Sequence, residues 1–133
     1  MTRRVSVDAT IVASSRLFAD MLIAQDFAVD AGLKLAGPAE HNSISRRAIH
    51  TAAPDRTLHV KLNAVERVDR YDVTAECVVS VETPTMSSWQ KVLVVTWYML
   101  PLDTQAQRDQ LKLKLAAFSF MLPTAADMME VTS

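Results

Sequence analysis

Two glycines, a single cysteine and no long apolar run set the first limits on this 133-residue chain. With only Gly32 and Gly37 available, a glycine-rich phosphate loop is excluded. A lone Cys77 forms no disulfide within the chain, and its place among the apolar positions of a predicted strand marks it as a small buried hydrophobe. The longest apolar stretch, Val92 to Leu100 with Thr96 inside it, is far short of a membrane span. Met1, Thr2, Arg3 and Arg4 are followed by no apolar block of signal-peptide type, so a soluble, unexported protein without membrane contact is expected. His41, His50 and His59 recur every nine residues, a spacing that sets no two of them on one face of a short element, and no cysteine or carboxylate cluster accompanies them. No metal, cofactor or small-molecule substrate is expected. Ser, His and Asp are present without a nucleophile context, so no catalytic residue is assigned and a non-enzymatic protein is expected. Asp72 and Glu76 share one strand face and read as cross-strand charge partners of His59 and Lys61.

Charge is scarce in net terms, at −1, which argues against a surface coated all over with nucleic acid. Locally, Arg46, Arg47, Arg56, Lys61, Arg67 and Arg70 outnumber Asp55, Glu66 and Asp69, giving either a solvated charged rim or a basic face. Half of the residues are apolar, enough for one globular domain over residues 1–133.

The second half is the more legible. Leu58, Val60 and Leu62 alternate with polar neighbours, and Tyr71, Val73, Ala75, Cys77, Val79 and Val81 do the same, two strands with one buried face each. The polar stretch Glu66 to Arg70 reads as their hairpin. After Pro84 to Ser88, Lys91 to Leu100 forms a third strand apolar on both sides, with Leu93, Val95, Trp97 and Met99 against Val92, Val94, Thr96 and Tyr98. Thr104, with Gln107 three residues on, caps a long helix. At 100° per residue Leu111, Leu115, Phe118 and Leu122 form one stripe, while Ala106, Leu113, Ala117 and Phe120 form a second on nearly the opposite side. One stripe serves the sheet; the other asks for a second copy of the chain. Pro123 ends the helix, and Thr124 with Asp127 caps a short final one. The methionines Met86, Met99, Met121, Met128 and Met129 read as packing material. In the first half, Val5, Val7, Ala9 and Ile11 alternate as a strand, Leu17 to Leu22 form a short helix or loop, Phe27 to Leu35 alternate again, and residues 38–56 form a loop holding a short strand near Ser45 to Ile49.

The order of elements, with the stretches RTLHVKLNAVERVDRYDVTAECVVSVETP and VLVVTWYMLPLDTQAQRDQLKLKLAAFSF, resembles the coat proteins of single-stranded RNA bacteriophages, the levivirus-like family, over about Arg47 to Val131. That resemblance implies an α+β fold: an antiparallel sheet, made of an N-terminal hairpin and a three-stranded meander, followed by two C-terminal helices that interlock with those of a partner. It implies a homodimer, with Leu111, Leu113, Leu115, Phe118, Phe120 and Leu122 at the dimer interface. It further implies that dimers assemble into an icosahedral shell in the host bacterial cytoplasm, with the polar sheet face meeting single-stranded RNA in the virion. Carried over by register, the RNA-binding residues are His59, Lys61, Asn63, Thr74, Val94 and Thr96, joined by Arg46 and Arg47. The loops Glu66 to Arg70 and Pro84 to Ser88 would meet neighbouring dimers.

Two rival classes fit the same composition. A dimeric secretion-type chaperone pairs a twisted antiparallel sheet with helices and holds an extended partner chain on exposed apolar surface. A helix at Ser15 to Asp26 favours that class, and a strand hairpin there favours the coat. A small α+β enzyme or ligand-binding barrel would require a ligand-sized cavity lined by Trp97 and Tyr98.

Overall fold

The computed structural model describes residues 2–32 and 41–131, and its elements run α1 Thr2–Ile23, β1 Phe27–Val29, β2 His41–His50, β3 Ala53–Arg67, β4 Arg70–Thr83, β5 Met86–Leu100, α2 Gln105–Ser119 and α3 Ala125–Met129. The strands form one antiparallel sheet in sequence order, β1-β2-β3-β4-β5. Alternation produces its two faces. On one, Leu58, Val60, Leu62 and Ala64 of β3 oppose Val79, Cys77, Ala75 and Val73 of β4, all of them buried. Removing an aliphatic side chain of this size from water contributes about 1.5–3 kcal/mol, so this face organises the molecule.

Helix α1 packs on that face over β1–β3, and α2 packs on α1. Val7, Ile11, Phe18 and Leu22 turn inward at helical spacing and are buried, whereas Val5 and Ala9 point to solvent. Phe18 meets Phe118 of α2 with ring centroids 5.5 Å apart, and Leu111 and Leu115 complete the contact stripe of α2. Both expected caps are present. Thr104 accepts from the Gln107 amide while the Gln107 side chain accepts from the Thr104 amide, and Thr124 and Asp127 repeat the arrangement at α3. Met128 of α3 and Val131 are buried, and Arg56 of β3 donates to the Val131 carbonyl at 2.9 Å.

Three expectations are corrected. Residues 5–11 belong to a 22-residue helix and not to a strand, so the N-terminal hairpin of the sheet is made by β1 and β2 instead. The helical stripe is hard to see because Thr10, Ser14 and Ser15 interrupt its apolar residues, yet these polar residues are buried too. Thr10 donates to its own helix at the Ser6 carbonyl, 2.9 Å away, and the Ser15 hydroxyl accepts from Arg46 Nε, also at 2.9 Å. The short strand expected near Ser45 to Ile49 is present but longer, spanning residues 41–50, residues 53–56 are strand and not loop, and β5 starts at Met86, five residues early. The expected strand at Leu33 and Leu35 and its stop at Gly37 and Pro38 lie outside the described residues. Among the methionines Met128 is buried, whereas Met86, Met99, Met121 and Met129 are exposed. No helix among the described residues is long and apolar enough to cross a membrane.

Candidate functional site

The face of the sheet away from α1 is built from the polar positions of β2 to β5. Three cross-strand rows define it. Asn63 lies between Ser43 and Thr74, and Thr74 lies opposite Thr96 with the two hydroxyls 3.0 Å apart. Lys61 lies between Ser45 and Glu76, with Val94 beyond Glu76. His59 lies between Arg47 and Val78, and its Nε2 is 3.2 Å from the Ser80 hydroxyl. His59, Lys61, Asn63, Thr74, Val94, Thr96 and Arg47 therefore share one surface, as their alternation required.

Arg46 is the exception among the expected RNA-facing residues. It pairs with buried Val60 on the helix-bearing face and reaches Ser15 of α1, so it is a tie between layers and does not belong to the polar surface. Its guanidinium also lies beside Gly32, so that a Cβ there would displace the far end of the Arg46 side chain. The other arginines of the basic stretch are matched locally. Arg47 meets Asp30 at 3.1 Å, Arg56 meets Asp55 at 2.8 Å, Arg67 meets Asp72 at 3.1 Å and Arg70 meets Asp69 at 3.8 Å. A charged rim, and not a concentrated basic face, is the result.

The expected partners of the two carboxylates also differ. Glu76 sits opposite Lys61 but makes its ion pair with Lys91 of β5, at 3.2 Å. Asp72 holds two elements at once: Oδ2 accepts from Arg67 and Oδ1 accepts from the Met99 amide at 2.9 Å. That amide bond, ahead of the Arg67 contact, lowers the Asp72 pKa, and it pins a residue whose φ of 54° is left-handed. Burial, reinforced by Lys61 and Arg47, pushes the His59 pKa below its ordinary value. Cys77, buried on the opposite face beside the Glu76 charge, has its thiol pushed up to about 12, which leaves it inert as a nucleophile.

Between β3, β4 and β5 this face sinks into an open hollow of about 480 Å³, lined by His59, Lys61, Glu76, Val78, Ser80, Glu82, Trp89 and Lys91. Trp89, absent from the expected site, is 67% exposed at its rim. The aromatics proposed for an enclosed ligand cavity, Trp97 and Tyr98, do not line this hollow.

A second open surface lies on the helix layer. Leu111, Leu115, Phe118 and Leu122, expected at a dimer interface, are buried within their own chain, because α1 supplies the packing partner that the sequence withheld. Leu113 and Phe120, on the other stripe, are 63% and 80% exposed. Beside Leu113, a groove of about 290 Å³ runs between α1 and α2 over Ala13, Leu17 and Ala116. Comparison of the chain with protein-family models, curated proteins and solved structures finds no match.

Proposed function

We propose that the chain is a polypeptide-holding protein of the dimeric secretion-chaperone type, binding an extended partner chain through exposed apolar surface. The observation that carries this reading is α1. Between the two leading classes, a helix before Phe27 favours the chaperone and a strand hairpin favours the coat subunit, and residues 2–23 are helical and lie on the sheet. With α1 closing the core, the apolar residues left outside it, Leu113 and Phe120 on α2 and Trp89, Val94 and Tyr98 on β5, are free for partners. A slightly acidic pI near 6.3 suits the same class.

The polar sheet face supports a second reading, the RNA-enclosing coat subunit. Lys61 and Arg47 would contact phosphate, and His59, Asn63, Thr74 and Thr96 would bond to sugar or unpaired bases. In that reading the exposed stripe of Leu113 and Phe120 meets the partner of an interlocked dimer, and such dimers build an icosahedral shell. Carboxylates at Asp72 and Glu76 on the same face weaken it.

Light scattering of a reduced, permanently unfolded protein separates holding from inertness. Near-stoichiometric amounts of the chain are expected to suppress its aggregation. Scattering unchanged at a tenfold excess of the chain would contradict the chaperone reading.

A further inference from the structure

The geometry points to the free edge of β5 as the place where the partner is held: an uncharged, extended peptide segment adds to the sheet there as a further strand. This rests on the chaperone reading and specifies its mode of binding.

The two edges of the sheet are unequal. β1 is three residues long, whereas β5 is fifteen residues long and pairs with β4 alone among the described residues. No residue of β5 is buried, although its neighbour β4 is buried along one whole face. An edge this long ordinarily carries charges or proline along it; β5 has one charged residue, Lys91, and its proline, Pro101, comes only after its end. Two register shifts, between Cys77 and Val78 and between Tyr71 and Val73 of β4, bulge β5 on either side of Leu93–Trp97. That uninterrupted stretch spans roughly 17 Å, and every second residue of it turns its N–H and C=O away from β4.

The bulges decide between occupants. A second copy pairing about a two-fold axis would bring its own bulges to the same edge, confining the shared ladder to these few residues, a small contact beside the roughly 1,600 Å² of a standard stable interface. A peptide has no bulges of its own and can follow the edge past both of them. Its alternate side chains then fall beside Val94 and the exposed Trp89, an apolar seat at the rim of the hollow. The Glu76–Lys91 pair neutralises that seat, so an uncharged, β-branched or aromatic segment fits it better than an acidic or basic one.

The test uses a fluorescent ten-residue peptide of alternating valine and threonine, and the same peptide N-methylated throughout, which keeps the side chains but offers no amide donors. The full chain is expected to bind the first at least tenfold more tightly. Hydrogen exchange with the first peptide bound should slow within Lys91–Tyr98 and stay unchanged in α1 and α2. Val94→Lys, at a half-exposed site, should weaken binding at least tenfold, while Leu113→Lys leaves it unaltered. Equal affinity for the two peptides, or protection appearing on α1 and α2 instead, overturns the edge-strand inference and leaves the chaperone reading standing. No binding of either peptide, together with no suppression of aggregation, removes both.

Discussion

Val68 stands at the tip of the β3–β4 hairpin, 96% exposed, with φ of 51°. The pairing of Arg67 with Arg70 leaves a two-residue loop whose first position is left-handed, a conformation that a β-branched side chain resists. Val68→Gly is expected to raise stability by about 1 kcal/mol in denaturant unfolding, since it relieves strain and removes no buried contact. Two other residues set the response to acid. His59 binds its proton less readily folded than unfolded, so between about 6.5 and its lower folded pKa the unfolded chain gains protons and stability falls as pH falls. Asp72 acts further down, where its contribution is present above about 3.8 and lost as pH drops through its depressed folded value. Accordingly His59→Asn should flatten the loss of melting temperature just below pH 6.5 and leave the more acidic limb intact, whereas Asp72→Asn should do the reverse.

Among the elements, β3, β4 and the two capped C-terminal helices were legible because each announces itself locally. Period-two alternation needs only neighbours in sequence, and Thr104 with Gln107 or Thr124 with Asp127 closes a capping box within four residues. α1 was not legible for an equally physical reason. Its buried stripe includes Thr10, Ser14 and Ser15; the Thr10 hydroxyl is provided for by the Ser6 carbonyl within the helix and that of Ser15 by Arg46 across the layer, and a long-range bond of that kind leaves no local pattern. The same bond explains the misplacement of Arg46, which looks like a surface cation until Ser15 is known to lie above it. The spacing gives the first stripe of α2 to the sheet and the resemblance gives it to a partner subunit, whereas α1 of the same chain packs against it. The two stripes should accordingly respond differently to truncation. Phe118→Ala, which removes the buried ring packed at a tilt against Phe18, is expected to cost about 3–5 kcal/mol, while Phe120→Ser should change stability by less than about 0.5 kcal/mol, both read from denaturant midpoints.

For the whole molecule, the sheet divides the surface into regions of different character. One face is covered over β1–β3 by α1, on which α2 packs, the other is a polar plane with paired charges, and apolar groups remain along the β5 edge and on the outer stripe of α2. The polar plane was legible in the sequence almost residue by residue; the open edge was not, since strand order is a property of the folded sheet and the apolar character of β5 fits a central strand equally well. In the proposed reading, the apolar surface left at these two places is what holds other polypeptides. Shell building would draw instead on the polar plane. The two uses part most clearly in the protein as purified from bacteria, sized by electron microscopy with its absorbance ratio at 260 and 280 nm. Small assemblies with a protein-like ratio are the expected result, and uniform spheres filled with RNA would contradict the account.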